Sequence, residues 1–344
     1  MPPRLAASPQ PEKLMQALVL NAFAAPMTIA SLPVPRPGPG PGQVLVRIAA
    51  SGVNPLDTKI AAGAAPHARP RLPAILGVDL AGTVAAVGDG VTQFAIGERV
   101  YGMAGGIAGI PGSLAEYGVF EAALLAPVPA ALSLRKAAAL PLVFITAWEG
   151  LVERAHVKAG DMVLVHGGAG GVGHMAVQLA VSMGAKVFAT GSAASRGAIE
   201  ALGARFIDYG ASEVDDYVAE HTGGAGFDIV YDTVGGATLE ASFKAARIHG
   251  GHVVSCLGWG TFSLSPLTAR AASYSGVFTL LPLLSGKGHA RHGAILREAN
   301  RLIEAGQLQV RLDPRRYTLG TAEEAHAAQM DGSARGKLVV ELGD

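Results

Sequence analysis

Gly168, Gly170 and Gly173 stand at the spacing G-x-G-x-x-G within the run V-L-V-H-G-G-A-G-G-V-G-H-M, residues 163–175. The β-formers Val163, Leu164 and Val165 lead into the turn. After it Val172, Ala176, Leu179 and Ala180 recur at helical spacing. A strand, a glycine turn and a helix in that order predict a dinucleotide site. The glycines supply a tight turn, close approach of backbone to a pyrophosphate and close packing of helix on strand. The free N–H groups and positive dipole of the helix start, at Gly171 and Val172, would hold the pyrophosphate.

The following strand, 186–190, bears on which dinucleotide. An NAD-specific fold usually ends that strand with Asp or Glu, which accepts hydrogen bonds from the ribose. Here Gly191 and Ser192 stand there, no Asp or Glu occurs between Gly173 and Glu200, and Arg196 follows. A hydroxyl and a guanidinium suit a 2′-phosphate that a carboxylate would repel. NADP is the expected cofactor.

Other reactive residues point less far. His166 ends the first strand and His174 begins its helix; both are read as packing or phosphate-proximal groups. No H-x-x-x-H pair falls on an expected helix, so histidine metal binding is not expected. Cys256 ends an apolar strand and reads as a buried, inert thiol. Asp57 reads as a structural carboxylate that fixes its loop. Neither G-x-S-x-G nor G-x-x-x-x-G-K-[ST] occurs, which weakens hydrolase and P-loop readings.

The elements that must position these residues fall into two patterns. The chain has 344 residues, half of them apolar and 16% charged, and suits two domains. Lys plus Arg equals Asp plus Glu at 27 each, which argues against nucleic acid or an anionic membrane as partner. A single cysteine excludes an internal disulfide framework and fits a reducing, cytoplasmic setting. Residues 1–14 are rich in proline and polar residues and read as a disordered extension before a start near Met15. From 16 to about 117 short strands (17–20, 44–50, 82–87, 99–102) alternate with Gly and Pro, as in a partly open barrel or a sandwich. From about 140, strands at 163–166, 186–190, 228–231 and 252–257 alternate with helices at 172–182, 196–202, 214–221 and 237–246. That alternation is the doubly wound signature. Residues 275–280 read as a further strand. Helices at 295–305 and 321–328 and the ending 337–341 then read as a return to the first domain. The longest apolar stretch, 137–148, is too short for a membrane span.

Five motifs in order carry a family resemblance: G-V-N-P-L-D (52–57), G-V-D-L-A-G-T-V (77–84), S-L-A-E-Y (113–117), T-A-W (146–148) and the glycine turn. Over residues 16–342 the chain resembles the medium-chain dehydrogenase/reductase superfamily, and within it the zinc-independent quinone oxidoreductase and enone reductase branch. The resemblance implies an α/β protein: a doubly wound Rossmann domain at 140–282, and a β-rich GroES-like catalytic domain at 15–139 completed by 283–344. At the positions of the zinc-dependent branch's catalytic ligands stand Asn54, Val78 and Leu142, with Asp79 in place of Glu. A three-ligand zinc site cannot assemble from them, so no metal is expected.

By the same resemblance, Asn54 and Thr146 lie beside the nicotinamide and its ribose. Ser192, Arg196 and Tyr209 match positions around the 2′-phosphate. Asp232 and its turn, together with Cys256 and Gly258, match loops near the nicotinamide, and Lys337 belongs to the loop closing over the cofactor. Lys59 stands where quinone-reductase relatives often carry Tyr, and suggests an ammonium over the substrate. The expected activity is NADPH-dependent hydride transfer to a quinone or an α,β-unsaturated carbonyl. Alternatives are a metal-free alcohol or aldehyde reductase and an NADP-binding protein without turnover. The run 275–280 lies where family members pair their sheets edge to edge, so a homodimer is expected.

Overall fold

The computed structural model of the chain describes residues 14–23, 29–35 and 38–343. The expected disordered extension lies outside these residues apart from Leu14, which instead begins the strand Leu14–Leu20.

Six parallel strands build one sheet in the spatial order Arg205–Asp208, Lys186–Gly191, Met162–His166, Ile229–Asp232, His252–Ser255 and Ser273–Gly276. This is the Rossmann arrangement. Val163, Leu164 and Val165 are wholly buried, as a strand covered by helices on both faces requires. The strand order reverses on either side of Met162–His166, and the crevice at that reversal is where the glycine turn emerges. The helix Gly171–Ser182 follows, and Gly184 leaves it in the left-handed region at φ 81°.

The β-rich remainder is the GroES-like unit. One sheet runs Tyr317–Thr318, Val339–Glu341, Gln43–Gly52, Asp79–Val87, Arg99–Met103 and Leu125–Pro127, with Tyr117–Glu121 also paired to Gln43–Gly52. A second joins Ile29–Pro35, Leu14–Leu20 and Ala74–Ile75. The last two strands in the chain thus close a sheet begun by the first hundred residues. The helix His289–Glu304 packs on Arg99–Met103 and Leu125–Pro127. There Tyr101, fully buried, donates its hydroxyl hydrogen bond to Leu296 O or Asn300 Oδ1.

The structure corrects two expectations. The sixth strand is Ser273–Gly276 and not 275–280; Val277 and Leu280 are buried within the chain and form no exposed apolar edge. The strand Arg205–Asp208 is absent from the expected set, which passes from the helix at 196–202 to the helix at 214–221. The apolar stretch near Pro141 forms the helix Pro141–Trp148, which passes into a π-helical turn, Glu149–Arg154. At the junction the Tyr231 hydroxyl donates to Thr146 O at 2.6 Å. A side-chain donor inserted at a helix carbonyl is a recognised cause of such a change, and it fastens this helix to the Rossmann sheet.

Candidate active site

A cavity of about 690 Å³ opens between the two sheets. The helix Pro55–Ala61 brings Asn54 and Lys59 to it, Pro141–Trp148 brings Thr146, and the glycine turn supplies Gly170, Gly171 and Val172. Cys256 and Lys337 complete the set of expected residues that line it.

Asn54 caps a helix whose first residue is proline, where the missing N–H costs nothing. The Asp57 carboxylate turns back to accept the Asn54 N–H at 2.9 Å. Asn54 itself is fully buried and both ends of its amide are used. Nδ2 donates to Asp79 Oδ2 at 2.9 Å, and Oδ1 accepts from Lys337 Nζ at 2.6 Å. The same ammonium donates to Val53 O at 2.8 Å, and Asp79 Oδ1 accepts the Leu142 N–H at 2.9 Å. Burial pushes the Asp79 carboxyl up to about 7 and the Asp57 carboxyl up to about 6, against the pull of the Lys337 ammonium. Burial in turn lowers the Lys337 pKa. Asp79, Asn54 and Lys337 therefore form one rigid hydrogen-bonded relay, with Asn54 and Lys337 in the cavity wall and Asp79 behind them. Sequence reasoning saw Asp79 only as a replaced zinc-branch residue and missed this connection.

Thr146 donates its hydroxyl to Leu142 O at 2.7 Å, and its Oγ1 lies 3.4 Å from that of Thr279. Thr279 belongs to the segment once read as an edge strand, and with Val277, Phe278 and Leu280 it lines the cavity. Lys59 sits on a helix and not on a loop, is exposed at the cavity, and makes no salt bridge among the described residues. Cys256 is half-buried at the cavity wall and not fully buried as expected, and its thiol is pushed up to about 12 by burial, so it is protonated at neutral pH.

The glycine turn fits a dinucleotide. At Gly173 a Cβ would overlap the Gly167 carbonyl, and at Gly168 it would press on Ala189 of the second strand. Beside the turn, His174 Nδ1 donates to Gly170 O at 3.0 Å, which leaves a buried Nε2 without a partner at the cavity wall. Burial lowers His174 to about 4, and His166 likewise, so both rings are neutral. Arg311, which no motif pointed to, also lines the cavity.

The remaining expected residues lie elsewhere. Ser192, Arg196 and Tyr209 gather beyond the second and third strands, outside the cavity lining. The Arg196 guanidinium lies 4.4 Å over the Phe206 ring and 3.4 Å from Glu200. Tyr209 is 65% exposed. The Asp232 side chain faces the fold: it accepts the N–H groups of Val234 and Gly235 and the Ser255 hydroxyl at 2.6 Å. Thr233, its neighbour, reaches the cavity in its place. Gly258 is outside the lining, where a Cβ would collide with the Tyr274 hydroxyl.

Human quinone oxidoreductase is 30% identical over 340 residues, which cover 96% of this chain and 99% of that protein. The chain belongs to the medium-chain dehydrogenase/reductase superfamily, in its quinone oxidoreductase branch. The family models that match are the alcohol dehydrogenase GroES-like domain at residues 40–130 and the zinc-binding dehydrogenase at 202–340. A solved alcohol dehydrogenase superfamily protein from Novosphingobium aromaticivorans is 51% identical with a TM-score of 0.93, covering 95% of this chain and 99% of that one. A mycobacterial structure complexed with NADPH is 29% identical with a TM-score of 0.82, covering 95% and 99%. Polyketide synthases also match, among them that of Streptomyces orinoci at 35% identity over 82% of this chain. The chain spans only 12% of that protein's length. The superfamily is one of NAD(P)-binding dehydrogenases. Among the described residues no helix is long and apolar enough to cross a membrane.

Proposed function

We propose that the protein is a zinc-independent, NADPH-dependent oxidoreductase that delivers hydride to a quinone or to the β-carbon of an α,β-unsaturated carbonyl. The observation that carries this is the cavity itself. It is lined both by the glycine-rich helix start and by the Lys59 ammonium, which has no salt-bridge partner among the described residues, with no metal-ligand set at Asn54, Val78 and Leu142.

Bound NADPH would supply the hydride. Gly170, Gly171 and Val172 present backbone N–H groups to a pyrophosphate, and Asn54 and Thr146 hold the nicotinamide end in place. As hydride reaches the β-carbon, the electron pair of the double bond moves to the carbonyl oxygen. The Lys59 ammonium stabilises that charge, and water protonates the α-carbon to leave a saturated ketone. For a quinone both oxygens end protonated. At the outer end, Ser192, Arg196 and Tyr209 receive the 2′-phosphate. With the domains divided at 139/140 and 282/283, residues of both would contribute to the cavity. The enzyme acts in the cytoplasm as a homodimer, paired through the free edge of Ser273–Gly276. Sedimentation equilibrium showing a monomer at all concentrations would overturn the dimer.

A panel of quinones, enones and simple ketones, offered with NADPH and with NADH, tests the activity. Oxidation of NADPH by quinones or enones and not by ketones is expected. Ketone reduction alone would favour an alcohol or aldehyde reductase, and no turnover with any acceptor a cofactor-binding role. Stoichiometric zinc whose removal abolishes turnover would overturn the metal-free reading.

A further inference from the structure

Three aromatic rings from distant parts of the chain meet at the Lys59 end of the cavity. His67, in the turn Pro66–Ala68, stacks on Trp259 with ring centroids 4.7 Å apart and planes at 25°. Phe278 meets Trp259 edge to face at 5.9 Å and 82°, and His67 at 6.2 Å and 62°. All three line the cavity together with Lys59. Burial and then the nearby Lys59 charge hold the His67 imidazole below its ordinary pKa, so the stack is uncharged at neutral pH. Trp259 is nevertheless 56% exposed. It sits between Gly258 and Gly260, the latter at φ 132°, a conformation that glycine favours. A large ring left wet on a cavity wall gains when a second flat surface covers it.

Leu56 and Leu257 also line this cavity, and the charge that reaches His67 is that of Lys59, whereas the Lys337 ammonium is already held by Val53 O and Asn54 Oδ1. A wall of π-faces with a cation near it describes a ligand with a flat, conjugated body and one anion-accumulating oxygen. We propose that His67, Trp259 and Phe278 form the acceptor-binding wall and select ring-conjugated carbonyl acceptors, fused quinones or aryl enones, over aliphatic enones. The proposal rests on the oxidoreductase reading above and narrows its substrate class. The electron-poor ring of such an acceptor stacks on the indole face, and its oxygen turns to Lys59. An aliphatic enone offers Lys59 the same oxygen and the wall nothing specific.

The test compares kcat/KM for 1,4-naphthoquinone and for an aliphatic enone such as 3-penten-2-one, in the full chain with NADPH. Trp259→Ala should lower the naphthoquinone value about 10- to 100-fold and the aliphatic value less than about threefold, with Trp259→Phe recovering most of the loss. Equal losses on both acceptors would overturn the proposal. Trp148→Phe provides a second readout, because it leaves Trp259 as the sole indole of the two in the chain. Naphthoquinone added without NADPH should then quench the fluorescence saturably, and His67→Ala should weaken that binding. Quenching that rises linearly, as for free tryptophan, would also overturn it. If neither acceptor oxidises NADPH in the wild type, the oxidoreductase reading fails, and the quenching still decides whether the wall binds a flat ring.

Discussion

The two ends of the candidate cofactor site are built in opposite ways. At the inner end Asn54, Asp79 and Lys337 are buried, and every polar atom of the Asn54 side chain has a fixed partner within the chain. At the outer end Arg196 and Tyr209 stand in solvent, and among the described residues Arg196 is held only by Phe206 and by Glu200, whose side chain is half exposed. Exposed ion pairs are worth little, about 0–1 kcal/mol, so Arg196 is free to change partner when a phosphate arrives. Buried networks do not rearrange so cheaply. The inner end therefore positions whatever reacts, and the outer end discriminates between ligands that differ only at a remote phosphate.

The sharpest way to break the inner end is Gly173→Val. The added side chain would run into the Gly167 carbonyl, which belongs to the turn itself. We expect a loss of about 3 kcal/mol or more of stability, or no soluble protein. NADPH binding, followed by fluorescence titration, should be lost with it. A variant with wild-type melting temperature and affinity would show that the turn is not the close-packed element described.

Lys59→Met comes next, because it removes the ammonium nearest the aromatic wall while keeping the apolar stem. The charge matters most as the carbonyl oxygen becomes negative, so kcat/KM for enones should fall about 10- to 1000-fold. NADPH affinity measured without acceptor should hardly move. Normal turnover, or a loss of NADPH binding instead, would make Lys59 a surface or cofactor residue.

At the outer end Arg196→Ala should weaken NADPH about 10- to 150-fold, the worth of one charge-assisted contact, and leave NADH almost unchanged. Equal losses for both cofactors would place Arg196 in the fold and remove the basis for NADP preference. Together the Lys59 and Arg196 variants should separate catalysis from cofactor choice.

How much of this was legible in sequence follows the same division. The Rossmann strands are continuous apolar runs ending in glycine, so Met162–His166 and Lys186–Gly191 were found within a residue. Arg205–Asp208 carries charge at both ends and is only four residues long, which hid it. Residues 275–280 were misread because β-formers in a row look alike whether they pair in a sheet or line a cavity. Only the three-dimensional path shows Val277 and Leu280 turning inward. The residues of the glycine turn were legible because their spacing is local. The relay through Asp79 and the contact of His67 with Trp259 join positions from 25 to 283 residues apart, and no periodicity records such a pairing.

The smallest expected effect is also the most discriminating for the buried relay. The Asp79 carboxyl is raised from 3.8 to about 7, first by burial. Its proton is therefore held more tightly in the folded chain than in the unfolded one. Stability from this group is fully present below about pH 4 and is lost as pH rises towards 7, because the unfolded chain ionises first. Asp79→Asn removes the titration and also a lone-pair partner for Leu142 or Asn54, so the variant should be less stable at low pH. Between pH 4 and 7 the gap in melting temperature should then close in the variant's favour, by about 2–6 °C. Asp57, whose charge helps raise the Asp79 carboxyl, titrates in both proteins, so the double variant Asp57→Asn with Asp79→Asn, compared with Asp57→Asn alone, isolates the contribution of Asp79. A gap that stays constant, or widens against the variant, would mean that Lys337 keeps Asp79 ionised throughout. The relay would then be a true buried ion pair bridged by Asn54, and the inner end would owe its rigidity to charge and not to a neutral, protonated Asp79.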